Sequence, residues 1–231
     1  MSDARELLAG VHVAPSILAA DFGSLRERVA DVLAAGARVI HVDVMDGHFV
    51  PSLTMGPPAV DALAATVHDA GAIIDVHLMV ERPERHVGEF AAAGADSITF
   101  HAEATPDLAL TAAAIHDAGC TAGLAVNPGT PASALAAMAA MIDVALCMTV
   151  SPGRGGQEFI AGSPAKVAAV RDAVGEGTAV EVDGGIDVQS APLCRAAGAN
   201  LFVAGSAIFA ARDPAGAYAE LAASLAGDVT R

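Results

Sequence analysis

One short phrase recurs along the chain and constrains its fold more than any other feature. A stretch compatible with a helix ends in Ala-Gly followed by Ala or Cys, and an apolar run rich in β-branched residues follows at once. The phrase occurs at Ala35-Gly36-Ala37, Ala70-Gly71-Ala72, Ala93-Gly94-Ala95, Ala118-Gly119-Cys120 and Ala197-Gly198-Ala199. A glycine directly after a helix can adopt the left-handed conformation that turns the chain into the next element. The apolar runs lack a polar face, which is typical of strands in a parallel sheet covered on both sides.

This repetition predicts eight strand–helix units. The predicted strands span residues 11–18, 39–44, 73–79, 97–101, 123–126, 144–150, 179–182 and 201–204. The predicted helices span residues 25–35, 57–70, 83–93, 108–118, 132–140, 164–174, 189–197 and 214–225. A doubly wound open sheet usually has fewer strands, and it has a GxGxxG fingerprint that is absent after the first strand here. We therefore predict an α/β fold, a single (β/α)8 TIM barrel over residues 1–231.

The charge balance excludes several kinds of partner. The chain has 12 Lys and Arg against 27 Asp and Glu, a net charge of −15, whereas nucleic acids and anionic membranes are bound by clustered Lys and Arg. No window approaches the roughly 18 apolar residues of a bilayer span. Residues 1–6 lack the layout of a secretory signal, and the three cysteines without CxxC spacing suit a reducing compartment. We expect a cytoplasmic protein that binds neither nucleic acid nor membrane.

Polar side chains interrupt the apolar runs near the ends of the predicted strands, where (β/α)8 enzymes place their chemistry. His41 and Asp43 share one face of the second strand, because alternate residues of a strand point the same way. His77 falls near the end of the third strand and Asp183 near the end of the seventh. A buried carboxylate is costly unless it is paired, protonated or bound to a metal. These four residues form an N₂O₂ set that predicts a site for Zn²⁺ or another divalent first-row metal.

Further polar residues fall near strand ends without an assigned role. The alternation places Asp75 on the same face as His77, and Glu181 on the same face as Asp183. His101 ends the fourth predicted strand, and a structural and a functional role are equally open for it.

Glycine is concentrated in three predicted loops toward the end of the chain. Residues 151–157 follow the sixth strand, Asp183-Gly184-Gly185 the seventh and Gly205-Ser206 the eighth. Barrels of this kind often bind phosphate with the loops after their last strands. Backbone N–H groups would then hold the anion, which explains how so acidic a chain could bind a phosphate.

A metal, two carboxylates and a phosphate anchor suit proton abstraction beside a carbonyl group, with the metal stabilising an enediolate. Asp43 and Asp183 could approach a bound sugar from opposite sides, so that one removes a proton and the other returns one. The single lysine, Lys166, lies in the sixth predicted helix, away from any strand end. Its position argues against a Schiff-base aldolase and an orotidylate-type decarboxylase. A metal-dependent sugar-phosphate aldolase and a barrel that only binds a sugar phosphate remain alternatives.

Eight segments carry a family resemblance: APSILAADF (14–22), HVDVMDGHFVP (41–51), HLMV (77–80), VNPGTP (126–131), MTV (148–150), PGRGGQ (152–157), VDGGI (182–186) and GSAIF (205–209). In their order and number they resemble the ribulose-phosphate 3-epimerase family over nearly the whole chain. The resemblance implies reversible epimerisation at C3 of D-ribulose 5-phosphate to D-xylulose 5-phosphate, in the pentose phosphate pathway and the Calvin cycle.

The resemblance also implies roles for individual residues. Asp43 and Asp183 would be the acid/base pair, and both would bind a divalent metal together with His41 and His77. Ser16 and His77 would contact the substrate, and Asp183 would also bind it. The phosphate would be held by Gly153, Arg154, Gly155, Gly156, Gly184, Gly185, Gly205 and Ser206. One metal ion per subunit is implied, Zn²⁺ in preference to Fe²⁺, Mn²⁺ or Co²⁺, in a homo-oligomer that is a dimer or a hexamer.

Three positions depart from the family's pattern. Arg154 and Met55 stand where phenylalanine is usual, and Ser52 stands where asparagine is usual. None of them is an implied metal ligand or an implied acid/base residue. Related epimerases that act on a ketohexose 6-phosphate (the allulose type) depart from Asp-Gly-Gly and from the Pro-Gly-x-Gly-Gly loop. Both motifs are kept here, which favours the pentulose as substrate.

Overall fold

A computed structural model describes residues 4–226. Residues 1–3 and 227–231 of the predicted domain lie outside the described part. Its eight strands run parallel in one sheet, with β1 beside β8 and β2 at the far end of the strand order. A parallel bridge between Ser16 and His41 joins β1 to β2 and closes the sheet. The strands are β1 His12–Pro15, β2 Val39–Met45, β3 Ile73–Met79, β4 Ser97–His101, β5 Thr121–Val126, β6 Val144–Met148, β7 Ala179–Asp183 and β8 Leu201–Ala204. The predicted (β/α)8 barrel is confirmed.

Helices connect the strands and cover the outside of the barrel. They are α1 Ala4–Ala9, α2 Leu25–Ala34, α3 Pro57–Asp69, α4 Val87–Ala93, α5 Leu108–Asp117, α6 Ser133–Ala136, α7 Ser163–Val174, α8 Ser190–Ala196, α9 Ser206–Phe209 and α10 Pro214–Ser224. Within residues 4–226, no helix combines the length and the apolar character needed to cross a bilayer.

The glycines of the recurring phrase have the predicted conformation. All have a positive φ angle, at Gly36 (110°), Gly71 (67°), Gly94 (107°), Gly119 (86°) and Gly198 (106°). An L-amino acid with a side chain rarely adopts such angles, whereas glycine adopts them at no steric cost. The phrase therefore marks the points where a helix ends and the chain turns into the next strand.

Several predicted boundaries are wrong. The first strand was expected over residues 11–18 but ends at Pro15, because Ile17–Ala19 forms a 3₁₀ turn. The helix expected over residues 83–93 is a 3₁₀ turn followed by α4, since Arg82 has a left-handed backbone (φ 53°) and Pro83 begins the turn.

The helix expected over residues 132–140 is also wrong. Only α6 and the 3₁₀ turn Ala139–Met141 form there. The segment is rich in alanine, which favours a helix locally. Leu135 and Met138 are its buried apolar side chains, and helix length depends on a continuous packed face. The short helices α1 and α9 were not predicted.

An apolar layer closes one end of the barrel. Leu8 of α1 packs against interior side chains of the strand beginnings, among them Val39, Ile73 and Leu201. The side chain of Asn200 donates hydrogen bonds of 2.8 Å to the backbone oxygens of Leu8 and Gly10, which holds α1 across the opening. The polar interior residues therefore lie toward the other end, which we call the mouth.

Three side chains recur at equivalent positions at the closed end. Asp96, Asp143 and Asn200 each precede an even-numbered strand, and each accepts the backbone N–H of the second residue of the strand before, at 2.7–2.9 Å. Each also forms a hydrogen bond with a basic side chain of the helix that leads into the earlier strand. The pairs are His68 with Asp96, His116 with Asp143, and Arg171 with Asn200. This repeated hydrogen-bond arrangement at the closed end contributes to stability, because the chemistry of such barrels lies at the mouth.

We expect Gly123→Ala to destabilise the barrel by about 1–3 kcal/mol through overpacking. A Cβ at Gly123 would lie 2.0 Å from Oγ1 of Thr99 inside the barrel. Gly129→Ala is the matched control, because a Cβ there meets nothing within 4 Å and φ is not positive. Urea unfolding measures both. Equal midpoints for the two variants would contradict the packing shown here.

Candidate metal centre and phosphate-binding loops

The polar residues at the mouth are positioned by strand register. In the β2–β3 pair, His41 lies beside Asp75 and Asp43 beside His77. Because side chains alternate along a strand, all four point into the barrel. Asp183 ends β7 and faces the same interior.

The four predicted ligands lie together. One ligand atom from each of His41, Asp43, His77 and Asp183 falls within 4.8 Å of the others. Asp43 Oδ1 is 3.4 Å from His41 Nε2 and 3.2 Å from His77 Nδ1, and His77 Nδ1 is 3.5 Å from Asp183 Oδ2. Both imidazoles are fully buried, while the Asp183 side chain is 15% exposed. The arrangement could hold one divalent ion.

The hydrogen bonding of His41 supports a fit to a cation. Its Nε2 is buried beside Asp43 and has no hydrogen-bond partner among the described residues. Its Nδ1 is 2.7 Å from Oδ2 of Asp75. A carboxylate that binds one imidazole nitrogen and leaves the other free is the usual arrangement behind a metal-ligating histidine. Two imidazoles and two carboxylates suit a divalent first-row ion, so the residues present fit such a group.

The charges of this cluster depend on one another. Burial lowers the pKa of His41, but the charge and hydrogen bonds of Asp43 and Asp75 outweigh burial and raise that pKa well above its ordinary value. Burial also lowers the pKa of His77, and Asp183 and Asp43 more than reverse the effect. For Asp43, burial raises the carboxyl pKa, and His41 and His77 bring it below its ordinary range. Binding of a metal ion would displace protons from these imidazoles.

A second layer of carboxylates lies beneath the four residues. Glu181 Oε1 is 3.7 Å from His41 Nδ1, and neither oxygen of Glu181 has a hydrogen-bond partner among the described residues. Burial and the neighbouring charge of Asp75 raise the pKa of Glu181 well above its ordinary value. A raised pKa favours the uncharged form of Glu181, which relieves the repulsion between two buried carboxyl groups.

A cavity of about 600 Å³ opens above this cluster at the mouth. Its floor and walls include Ser16, Asp43 and Asp183, and Ser16 Oγ donates a 2.5 Å hydrogen bond to Asp43 Oδ2. The predicted phosphate-binding residues that line it are Gly153, Arg154, Gly155, Gly156, Gly184, Gly185, Gly205 and Ser206. His77, a predicted substrate contact, is buried under the cavity and does not line it. Its role toward substrate stays a prediction.

We call the loops at residues 153–156, 184–185 and 205–206 the glycine loops, and the backbone of the second loop requires glycine at both positions. At Gly184 φ is +117°, and a Cβ would lie 2.3 Å from Val150 Cγ2. At Gly185 φ is +65°, and a Cβ would lie 2.6 Å from the backbone nitrogen of Phe159. Among the described residues, nothing accepts a hydrogen bond from the backbone N–H groups of Gly155, Gly156, Gly184, Gly185 or Gly205. Unpaired N–H groups that line a cavity can bind an anion.

Side chains hold the first glycine loop in place. Gln157 Nε2 donates to the backbone oxygens of Ser151 (2.7 Å) and Arg154 (2.8 Å). Ser52, one of the departures from the family's pattern, donates a 2.6 Å hydrogen bond to the backbone oxygen of Gly153. Ser52 thus joins the loop after β2 to the loop after β6.

The expected position of Lys166 is wrong in one respect. Its Nζ donates a hydrogen bond to the backbone oxygen of Asn127, directly after β5, so the side chain does reach a strand end. The lysine does not line the mouth cavity. A Schiff base with a substrate in that cavity has no amine available from this side chain.

Sequence reasoning missed two residues near the centre. Asp75 was placed on the correct face but given no role, although it orients His41. Glu103 was not singled out, and it lies 3.3 Å from His101, which in turn lies 2.8 Å from His77. The spacing His101-x-Glu103 at the end of β4 is the one sequence signal that could have indicated this contact.

Comparisons with known proteins identify relatives of this chain. The sequence profile of the Ribulose-phosphate 3 epimerase family matches residues 12–209. A ribulose-phosphate 3-epimerase from Escherichia coli (strain K12) is 50% identical over 200 residues, covering 85% of this chain and 88% of the relative. One from Bacillus subtilis (strain 168) is 45% identical over 218 residues, covering 93% and 99%. KGPDC from Streptococcus mutans in complex with D-R5P has a TM-score of 0.73 at 19% identity, covering 93% of this chain and 97% of that one. The last likeness shows the fold alone.

We expect the purified protein to bind one divalent ion per chain and His41→Ala to weaken that binding at least ~100-fold. Loss of a residue behind a ligand typically costs about 10–100-fold, and loss of a ligand should cost more. Competition with a chromophoric chelator measures the affinity. His116→Ala is the control, because His116 pairs with Asp143 at the closed end. Equal affinities in both variants would remove His41 from the ligand set.

Proposed function

This chain belongs to the ribulose-phosphate 3-epimerase family, and we propose that it is an isomerase that interconverts D-ribulose 5-phosphate and D-xylulose 5-phosphate by reversible epimerisation at C3. The observation that carries the proposal is a single cavity in which Asp43 and Asp183 lie beside the glycine loops. Such a cavity offers two acid/base groups and an anion site to the same small molecule.

Two carboxylates on different strands can invert a carbon centre by two proton transfers. In the proposed reaction, either Asp43 or Asp183 removes the proton from C3, and the other delivers a proton to the opposite face. Ser16 donates to Oδ2 of Asp43, which fixes the orientation of that carboxylate. Asp183 is the more exposed of the two side chains, so it has the more direct access to the cavity.

The four clustered side chains His41, Asp43, His77 and Asp183 would hold one divalent ion per subunit. When bound, the ion supplies electrostatic stabilisation of the negative charge that develops on the substrate oxygens. We propose Zn²⁺ as the ion, in preference to Fe²⁺, Mn²⁺ or Co²⁺, because imidazole and carboxylate side chains are common ligands of zinc. His41 and His77 do not line the cavity, so they would hold the ion without occupying the space left for the substrate.

The substrate phosphate would bind to the unpaired N–H groups of the glycine loops. Arg154 is the one Lys or Arg among the described residues that line the cavity. Its guanidinium would add a positive charge to a site that otherwise contains two carboxylates, and a planar guanidinium can bind two phosphate oxygens at once. A phosphate anchor of this kind also fixes the distance between the sugar carbonyl and the carboxylates.

Location and assembly are part of the proposal. A reducing, cytoplasmic location is supported by three buried, unbridged cysteines. Burial raises the pKa of Cys120 and Cys147 to about 11 and that of Cys194 to about 12, so these thiols are unreactive. A homo-oligomer, a dimer or a hexamer, is supported by apolar side chains exposed on the outer helices, such as Leu110 of α5 (60% exposed) and Leu193 of α8 (55% exposed).

We expect Asp43→Asn and Asp183→Asn each to lower turnover by about 10²–10⁴-fold, the usual contribution of a positioned acid or base. A coupled assay on D-ribulose 5-phosphate, with and without chelator, measures turnover. Circular dichroism checks that each variant stays folded. Asp61→Asn, on the exposed side of α3, is the control and should keep full activity.

Hydrogen exchange at C3 sharpens this test. Each variant retains one base, so in deuterated water any residual exchange should be confined to one epimer, and the two variants should differ in which epimer exchanges. Full activity in either variant would contradict the proposed two-base mechanism. Turnover of a ketohexose 6-phosphate in preference to the pentulose would assign a different substrate, and cleavage products would indicate an aldolase.

We expect Arg154→Gln to raise the KM for the sugar phosphate by about 5- to 30-fold and to leave kcat nearly unchanged. A partly exposed, charge-assisted hydrogen bond contributes roughly 1–2 kcal/mol. The inhibition constant of inorganic phosphate should rise in parallel. Arg28→Gln, on the outer surface of α2, is the matched control. An unchanged KM would show that the backbone N–H groups bind the phosphate without Arg154.

A further inference from the structure

A line of buried hydrogen bonds leads away from the candidate metal centre. His77 Nε2 lies 2.8 Å from His101 Nε2, and His101 Nδ1 lies 3.3 Å from Glu103 Oε2. The two imidazoles stack with their centroids 5.0 Å apart and an interplanar angle of 24°. Both are fully buried, and the Glu103 side chain is 27% exposed. The line therefore joins a predicted ligand to a carboxylate at the rim of the barrel.

The direction of these hydrogen bonds follows from the charges. The Nε2 atoms of His77 and His101 lie 2.8 Å apart, so only one of them carries a hydrogen. His77 Nδ1 faces two carboxylates whereas His101 Nδ1 faces one, so His77 is the ring better placed to hold an additional hydrogen and His101 carries a single one. Burial raises the pKa of Glu103, but hydrogen bonds from His101 and Thr130 bring it down to about 2, so the carboxylate is ionised. An ionised carboxylate only accepts hydrogen bonds. The single hydrogen of His101 therefore lies on Nδ1, and its Nε2 accepts from His77 Nε2.

The second oxygen of Glu103 is fixed by the loop after β5. Oε1 accepts the backbone N–H of Asn127 at 2.9 Å and the hydroxyl of Thr130. The backbone oxygen of Asn127 in turn accepts from Lys166 Nζ. Two groups of the loop after β5 thus hold the carboxylate in one orientation, with Oε2 toward His101, and Lys166 of α7 anchors that loop.

We propose that Glu103 is a positioning residue of the metal centre, which acts through His101 to keep the hydrogen of His77 on Nε2 and so present Nδ1, as an acceptor, to a divalent ion. The proposal rests on the proposed ligation by His77. His77 Nδ1 is the nitrogen that faces Asp43 and Asp183. Neither His101 nor Glu103 touches the ion or the substrate in this arrangement.

Replacing one carboxylate oxygen of Glu103 by an NH₂ group should reverse the direction of donation in the hydrogen bonds that join residue 103, His101 and His77. In Glu103→Gln, the amide oxygen must occupy the Oε1 position, because Asn127 and Thr130 both donate there. The NH₂ group then faces His101 Nδ1 and donates to it. The hydrogen of His101 moves to Nε2, and His77 must accept at Nε2 and carry its hydrogen on Nδ1. That hydrogen faces the ligand set and competes with the metal.

Metal affinity tests the proposal without an activity assay. We expect Glu103→Gln to weaken Zn²⁺ binding by about 10- to 100-fold in chelator competition, as the loss of other residues behind metal ligands does. Glu89→Gln, exposed on α4, should bind like wild type. Thr130→Val should also weaken Zn²⁺ binding, by a smaller factor. Thr130→Ser, which keeps the hydroxyl, should bind Zn²⁺ like the wild type. Wild-type affinity in Glu103→Gln would overturn the proposal.

The tautomer of His101 provides a second, independent measurement. Long-range ¹H–¹⁵N spectra of ¹⁵N-histidine-labelled protein, assigned with His101→Asn, should show hydrogen on Nδ1 in the wild type and on Nε2 in Glu103→Gln. Hydrogen on Nε2 in the wild type would overturn the proposal even if Glu103→Gln failed to fold. A wild type that binds no divalent ion, with His101 protonated on Nδ1, would instead contradict the proposed metal centre and leave the hydrogen-bond direction intact.

Discussion

The burial of several ionisable side chains inside the barrel is the constraint on which the rest of the structure depends. His41, Asp75, His77 and Glu181 are completely buried and Asp43 is nearly so. Taking an unpaired charge out of water costs several kcal/mol, so each group must share a proton, a hydrogen bond or a cation with its neighbours. Imidazoles alternate with carboxylates for this reason. The same pairing orients the groups that face the cavity.

The predictable part of this centre is the part that depends on local geometry. His41 with Asp43, and Asp75 with His77, could be placed on common faces because side chains in a strand alternate with a period of two. Parallel pairing then brings the strand ends to one mouth. The turn glycines were predictable for a similar reason, since a positive φ angle restricts the choice of residue at that position alone.

The parts that could not be predicted depend on contacts between distant segments. Nothing near Glu103 in the chain indicates that it meets Thr130, and nothing near Lys166 indicates that its amine reaches Asn127. The helix expected at residues 132–140 is the opposite case, because there the sequence predicts more regular structure than the protein forms. Its alanine content favours a helix locally, but the packing against the barrel supports only a short one. Local preference and tertiary packing agreed in most of the barrel and disagreed there.

Asn200 has a consequence for how the protein is made. Its side chain binds the backbone of Leu8 and Gly10, which precede it by 192 and 190 positions, and β1 pairs with β8 along its length. Synthesis on the ribosome delivers the N-terminal segments first. The hydrogen-bond partners that β8 supplies to β1, and Asn200 to α1, emerge only with the last strand, so the growing polypeptide must expose an unsatisfied strand edge for most of translation. Such edges invite association between chains. Barrel closure is therefore a late event in the life of the nascent protein, and a cell has to keep neighbouring copies apart until it happens.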